Sequence, residues 1–283
     1  MQIASEWSLG QKLPASGLHL FHFGMSSCSQ KLRIALRLKG APWTGHSIDL
    51  SAHENYGPDF LALNPRGMVP VLVLDGAVHI ESNDILALLD ERFPDPCLFP
   101  AGRRTEIAAL LAEEDALHHD LRRLSFRFVH GRSATTKSPE LMRAYRDGSA
   151  TDDKKAAEIA FYERLAETGL DDATCRASAE KFRAAFDRFE MRLAGHPFLL
   201  GETLTVIDIA WFVYAYRLTA GGYPLKELHP RVQGWFEARR AMPGWEKEVA
   251  LPPVVVERAT AARKRDAAEG STLAALLGST ADG

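Results

Sequence analysis

Cysteine is scarce in this chain: Cys28, Cys97 and Cys175 are the three among 283 residues. Their wide, irregular spacing makes neither a disulfide framework nor a zinc pattern, so free thiols and no metal are expected. An excess of charge of one sign is also missing. The 34 basic and 37 acidic residues are well mixed and leave a formal net charge of −3. The densest basic spots, Arg122-Arg123, Arg239-Arg240 and Arg263-Lys264-Arg265, mostly have acids beside them. This excludes a basic nucleic-acid-binding face. Long apolar runs are absent too. The most apolar stretch, Ile207 to Tyr216, is far shorter than the roughly 20 residues a membrane span needs. The opening "MQIASEWSLGQKLPASG" has no basic head followed by an apolar core, so a cytoplasmic protein that meets no membrane is expected. No internal repeat or low-complexity tract is present.

What is there divides by periodicity. From Leu18 to about Phe93 the elements alternate. "LHLFHF" reads as a strand, Ser27 to Lys39 as a helix, "APWTGHSIDL" as a strand and Glu54 to Leu63 as a short helix. "VPVLVLDGAVHI" reads as two strands joined at Asp75-Gly76, a hairpin signal, and a third helix ends at Pro94 and Pro96. That order, β-α-β-α-β-β-α, suits a small mixed sheet with helices on its faces. After Pro100 the strands stop. Leu110, Leu117, Leu121, Leu124 and Phe128 fall at helical spacing, as do Phe182, Phe186, Phe189 and Leu193. Thr205 and Asp208 make a T-x-x-D helix start, and another helix follows Pro230. The polar stretch from Gly131 to Cys175 reads as loop with a helix around Ala156 to Ala166. The segment from Pro252 reads as a tail that either lies across the bundle or moves freely.

Three short stretches carry chemistry. Val69-Pro70 opens a strand, and both a trans turn and a cis bond fit it. A cis proline would leave the preceding backbone N–H and C=O to pair with an extended peptide. Glu81-Ser82 stands where the last strand meets the third helix. Ser82 with helix-end N–H groups suits a carboxylate and Glu81 an ammonium, while a plain N-cap by Ser82 is the simpler reading on local grounds. Ser26, Ser27 and Cys28 begin the first helix, whose positive end stabilises a thiolate, bound or the protein's own. A helix cap and a small buried hydrophobe are the simpler readings of these residues. Lys31 stands where a C-x-x-C motif would need its second cysteine, which argues against a self-contained dithiol oxidoreductase.

A thioredoxin-like domain would bring these three stretches to one edge, and here the chain resembles the glutathione transferase superfamily. The resemblance rests on "NPRGMVP" (64–70), "ESNDI" (81–85) and "LTVIDIAW" (204–211) and covers roughly Leu18 to Glu248. It implies an α/β thioredoxin-like domain over 17–98 followed by an all-α helical bundle over 103–250, flanked by an extension (1–16) and a tail (251–283). It implies glutathione as co-substrate, its cysteinyl backbone on Val69 ahead of a cis-Pro70, its γ-glutamyl end on Glu81 and Ser82, and its sulfur under Ser26. For the glycyl carboxylate the candidates are His53, Asn55 and Arg66. It also implies a homodimer, and a small hydrophobic, aromatic second substrate lying between the domains.

Within the superfamily the opening "FGMSSCSQKLRIAL" looks most like bacterial tetrachlorohydroquinone reductive dehalogenases, with the β-aryl-ether cleaving enzymes as relatives with similar insertions. In that branch a serine, one intervening residue and a cysteine stand at this place, positions that Ser26 and Cys28 match. The resemblance then implies glutathione attack on an aromatic electrophile promoted by Ser26, in reductive dehalogenation, aryl-ether cleavage or conjugation, with Cys28 removing glutathione from the conjugate. The alternatives are a thiol transferase working through Cys28 and a non-catalytic binding protein. His118, His119, Arg122, Arg123, Phe126, Trp211, Tyr214 and Tyr216 are available near the second substrate, but core packing explains each as well. Adjacent His118 and His119 point about 100° apart, which does not suit a shared metal.

Overall fold

The structure is a computed structural model that describes residues 2–3, 14–130, 137–147 and 152–279. It divides into two compact units. The first comprises Met1–Leu98 and Lys137–Glu163, the second Phe99–Thr136 and Arg164–Gly283.

In the first unit five strands form one sheet in the order β1-β5-β4-β2-β3. They are β1 (Gln2–Ile3), β2 (Leu18–His22), β3 (Thr44–Ser47), β4 (Val71–Leu74) and β5 (Ala77–His79). β2 runs parallel to β3 and antiparallel to β4, with Leu20 opposite Leu72 and Phe21 opposite Val71. The Asp75-Gly76 turn has positive φ at both residues, 49° and 81°, as a tight hairpin requires. The first residues, read from sequence as an extension, supply an edge strand: Gln2 pairs with His79 and Ile3 with Val78.

Strand alternation gives the sheet two apolar faces. Val71, Val73, Val78 and Ile80 pack with Phe60 and Leu63 of α2 (Pro58–Leu63). Leu20 and Leu72, fully buried, belong to the other set. Helices α1 (Ser27–Leu38) and α3 (Ser82–Arg92) pack on each other, tied by the Lys31 ammonium donating to Asn83 Oδ1 at 2.9 Å. At the far end of α1, Lys39 forms a buried ion pair with Asp90 at 2.5 Å, and Asp90 also accepts from the Leu98 N–H. Removing one partner of such a pair would strand a charge in low dielectric. The helix expected over Glu54 to Leu63 is divided: a 3-10 turn at Glu54–Tyr56 precedes α2, because Pro58 lacks the N–H that a continuous helix would use.

Within the polar stretch read as loop, residues 137–147 and 152–168 are more ordered than their composition suggests. Helix α6 (Pro139–Asp147) and helix α7 (Asp153–Thr168) lie within it. Met142, Tyr145 and Ile159 form a buried cluster with Tyr56 and Leu61 of the sheet domain and with Tyr162. Lys137 Nζ stands 4.6 Å from the Tyr56 ring and 4.5 Å from the Tyr162 ring. Each buried apolar side chain contributes about 1.5–3 kcal/mol before entropy, so this cluster holds the inserted helices on the sheet domain. The sequence reading placed the whole of 103–250 in one helical domain; 137–163 instead groups with the first unit.

The second unit is helical. It contains α4 (Arg104–Ala116), α5 (His118–Ser125), a π-helical turn at Phe126–His130, α8 (Asp172–Arg192), α9 (Val206–Ala220), α10 (Leu225–Leu228), α11 (Pro230–Arg240) and α12 (Trp245–Val249). The helical spacing from Leu110 to Phe128 is not one continuous helix. It breaks at Leu117, whose N–H is shared between the carbonyls of Glu113 and Glu114. Trp211, Phe186 and Phe189 meet edge to face in the core. The segment after Pro252 lies on the bundle as α13 (Pro253–Ala268) and α14 (Leu273–Leu276), anchored by a buried two-oxygen pair between Arg127 and Asp266 at 3.0 Å.

Candidate active site

The start of α1 is a relaxed helix N-cap. Ser26 has extended backbone (φ −71°, ψ 121°) and its Oγ accepts from the Ser29 N–H at 3.3 Å. Accepting that bond leaves the hydroxyl its own proton to donate. Ser26 is half-buried, so the donor is within a ligand's reach. The preceding loop is tethered from behind. Buried Arg33 donates to the carbonyls of Phe23 (3.3 Å) and Gly24 (3.0 Å), and Gln30 donates to Gly24 at 3.3 Å. Cys28, half-buried at the second helical position, shares the first turn; Ser27 is buried.

Val69-Pro70 is cis. Among the described residues neither the N–H nor the C=O of Val69 has a hydrogen-bond partner. Asn64 Nδ2 donates to the Met68 carbonyl at 2.7 Å and Asn55 Nδ2 to the Gly67 carbonyl at 2.7 Å, so the loop leading to Val69 is held from inside.

The start of α3 differs from that of α1. Glu81 is its N-cap residue, with φ 71° and ψ 108°, and no side chain caps the helix. Such a backbone costs a non-glycine residue of order 1–3 kcal/mol and persists only where its surroundings enforce it. Ser82 is the first helical residue and not the cap, so its hydroxyl is not spent on the backbone there. The Glu81 carboxylate meets two cations: Arg66 on Oε1 and Lys154 of α7 on Oε2. Arg66 in turn pairs through Nε with Asp152 at 2.5 Å, and its backbone carbonyl accepts from the Tyr145 hydroxyl at 2.6 Å. Asp152 also accepts from the Lys155 N–H at 2.9 Å. Burial raises the Asp152 carboxyl, but the Lys155 N–H and the Arg66 guanidinium outweigh it and hold it below the usual carboxylate range.

The three residues considered for a glycyl carboxylate separate. Arg66 is drawn to Glu81, at the other proposed end of the ligand. Asn55 is buried and turned inward on Gly67, and its Oδ1 has no partner among the described residues. His53 adopts left-handed backbone at φ 61°; burial and then the Lys137 ammonium lower its imidazole below 6.5, leaving it neutral at pH 7. Lys154, Asp152 and Tyr145 were not reached by sequence reasoning. They stand 73 to 86 residues away from Glu81 and Arg66 along the chain, with no local motif to link them.

Of the residues considered near a second substrate, Trp211 and Tyr214 are fully buried in the helical core, and His118 contacts the Tyr214 hydroxyl at 3.2 Å. Asp120 accepts from Ser178 and pairs with Arg123 and Lys181. Among the described residues no group of side chains could hold a metal ion, and no helix is long and apolar enough to cross a membrane.

Comparison with known proteins agrees with this geometry. The family model described as "Glutathione S-transferase, N-terminal domain" matches residues 25–92, and that described as "Glutathione S-transferase, C-terminal domain" matches residues 160–238. A tetrachloro-p-hydroquinone reductive dehalogenase of Sphingobium chlorophenolicum is 27% identical over 80% of this chain and 97% of its own length. Glutathione S-transferase 1 of Dianthus caryophyllus is 43% identical over 29% of this chain, a match spanning only 38% of that protein. Among solved structures, the β-etherase LigF of Sphingobium sp. strain SYK-6 superposes with a TM-score of 0.70 at 23% identity, covering 82% of this chain and 98% of its own. An α/β sheet unit with a cis-proline edge, a helical unit behind it in sequence, and the two matching family models together mean that the chain belongs to the glutathione S-transferase family.

Proposed function

We propose that this chain is an enzyme that binds glutathione along the edge formed by Ser26, Val69, Glu81 and Ser82, activates its thiol and directs it at an aromatic electrophile. The observation that carries this reading is the start of α1: the half-buried Ser26 hydroxyl accepts from its own helix and retains a proton to donate. A thiolate placed there gains that hydrogen bond and the positive helix end, both of which lower its pKa. The backbone of Val69 offers one donor and one acceptor to the cysteinyl unit, and Glu81 offers a carboxylate to the γ-glutamyl ammonium. Arg66 belongs with this γ-glutamyl end. His53, beside the Lys137 ammonium, is the better candidate for the glycyl carboxylate, since Asn55 faces inward. The proposal includes a homodimer in the cytoplasm, which sedimentation and cell fractionation test.

For a halogenated hydroquinone the steps would balance as follows. The glutathione sulfur bonds to the ring carbon as halide leaves with its electron pair. The Cys28 thiolate then attacks the glutathione sulfur of the conjugate, forming a mixed disulfide, while the ring keeps the carbon–sulfur electron pair and takes a proton. A second glutathione attacks that disulfide and frees Cys28, giving oxidised glutathione. The half-buried position of Cys28 in the first helical turn favours this second role.

The test is mass spectrometry of wild type, Ser26→Ala and Cys28→Ala after brief incubation with glutathione and a halogenated hydroquinone. A glutathione-sized adduct on Cys28, slow to appear in Ser26→Ala, supports both roles. An aryl-glutathione conjugate that needs Ser26 but not Cys28 leaves a serine-type transferase. Neither adduct nor conjugate, with glutathione unbound, contradicts the reading.

A further inference from the structure

The inserted segment reaches the edge where glutathione is proposed to lie. Four charged side chains stand in a row there, Asp152, Arg66, Glu81 and Lys154, two from the sheet domain and two from the insertion. Both insertion residues act from a fixed base. The Met142, Tyr145 and Ile159 cluster seats the helices on Tyr56 and Leu61, and the Tyr145 hydroxyl grips the Arg66 carbonyl. The charges alone would not hold the segment: Asp152 is 45% exposed and Lys154 42% exposed, and ion pairs so open to water contribute little stability. A row of charges that adds little to stability, set beside a strained residue at the site edge, has a different use.

The γ-glutamyl end of glutathione carries an ammonium and a carboxylate on one carbon. Glu81 answers the ammonium, since a carboxylate has about four acceptor positions and two cations do not exhaust them. The ligand's carboxylate, one carbon from that ammonium, then falls beside whatever already touches Glu81. Arg66 is mostly buried and committed on two sides, to Glu81 and to Asp152, whereas Lys154 approaches from the open side on a flexible stem.

Resting on the glutathione reading above, we propose that the insertion completes the γ-glutamyl subsite within its own chain: Lys154 pairs with the α-carboxylate of glutathione, and Asp152 positions Arg66 so that Glu81 faces the ammonium. The subsite then selects ligands with both an α-amine and an α-carboxylate, and the insertion is a specificity element of the first substrate.

The test compares two probes by titration calorimetry, glutathione and its analogue lacking the α-carboxylate (4-aminobutyryl-cysteinyl-glycine), on wild type, Lys154→Met and Lys154→Arg. Wild type should bind glutathione on the order of 10- to 100-fold more tightly than the analogue, the range for a charge-assisted hydrogen bond. Lys154→Met should lose most of that preference by weakening for glutathione alone, with the remainder carried by Ser82, and Lys154→Arg should recover most of what is lost. If Lys154→Met keeps the preference, or binds glutathione more tightly because Lys154 had competed for Glu81, the proposal is overturned. If wild type binds neither probe, the glutathione reading falls first. If wild type binds both equally, that reading stands and the carboxylate subsite does not exist.

Discussion

Two helix starts in this protein use nearly the same residue types to opposite ends. At the start of α9, Asp208 turns wholly inward. It accepts from the N–H of Thr205 at 2.9 Å, the N–H of Leu199 at 3.0 Å and the Trp235 indole at 2.9 Å. Burial pushes its carboxyl above the usual range despite those donors and the Arg239 guanidinium. At the start of α3, Glu81 and Ser82 cap nothing. Glu81 holds a strained backbone, and its carboxylate faces side-chain cations at a partly open edge. An acid and a hydroxyl at a helix N-terminus therefore do not announce a site. What separates the two is whether the backbone has already consumed them.

The sharpest way to break that comparison is at Asp208. Asp208→Ala leaves two backbone N–H groups and an indole without their acceptor and removes the charge that offsets buried Arg239, and should cost about 3–5 kcal/mol in denaturant unfolding. A loss below about 1 kcal/mol would mean the cap is incidental. Glu81→Gln should do the reverse: glutathione affinity in calorimetry falls on the order of 10-fold or more, while stability moves by less than about 1 kcal/mol. Between the two lies Asn55→Ala. Loss of the buried amide that holds the Gly67 carbonyl should cost about 1–2 kcal/mol by thermal unfolding, with glutathione affinity weakened only through the loosened loop.

A pH-dependent effect is expected at His130 in the helical unit, whose Nε2 accepts from the Arg217 guanidinium at 3.3 Å. Burial first, and the Arg217 charge second, depress it from 6.5 to about 3. Between those values the unfolded chain binds a proton that the native one does not, so this group makes stability fall as pH drops from 6.5 towards 3. The slope from one proton is at most about 1.4 kcal/mol per pH unit, and urea titrations of His130→Asn should lack it.

Much of the fold was legible because it is written locally. The apolar spacing of α1, the Asp75-Gly76 hairpin and the Thr205–Asp208 helix start each depend on residues a few positions apart. Pro58 dividing the second helix was equally local and was passed over. The sheet's edge strand, Gln2–Ile3, is too short to carry a periodic signal. The docking of α6 and α7 depends on Met142, Tyr145 and Ile159 meeting Tyr56 and Leu61 from far along the chain, which no pattern in one sequence records. For the same reason the three candidate stretches can be picked out along the sequence, while the contacts of Arg66 and Glu81 with Asp152 and Lys154 cannot. Asn55 illustrates a further limit: an asparagine in a polar loop reads as available, and only the Gly67 carbonyl turns it inward.

The activation of bound glutathione proposed for Ser26 can be read at the thiol itself. The ultraviolet absorbance of the thiolate, titrated with pH in the binary complexes of wild type, Cys28→Ala and Ser26→Ala, tests it most directly. Wild type and Cys28→Ala should ionise the bound thiol about one to two pH units below the ordinary thiol value of about 8.5, and Ser26→Ala should return it close to that value. A thiolate that forms at the same low pH without the Ser26 hydroxyl would contradict the claim.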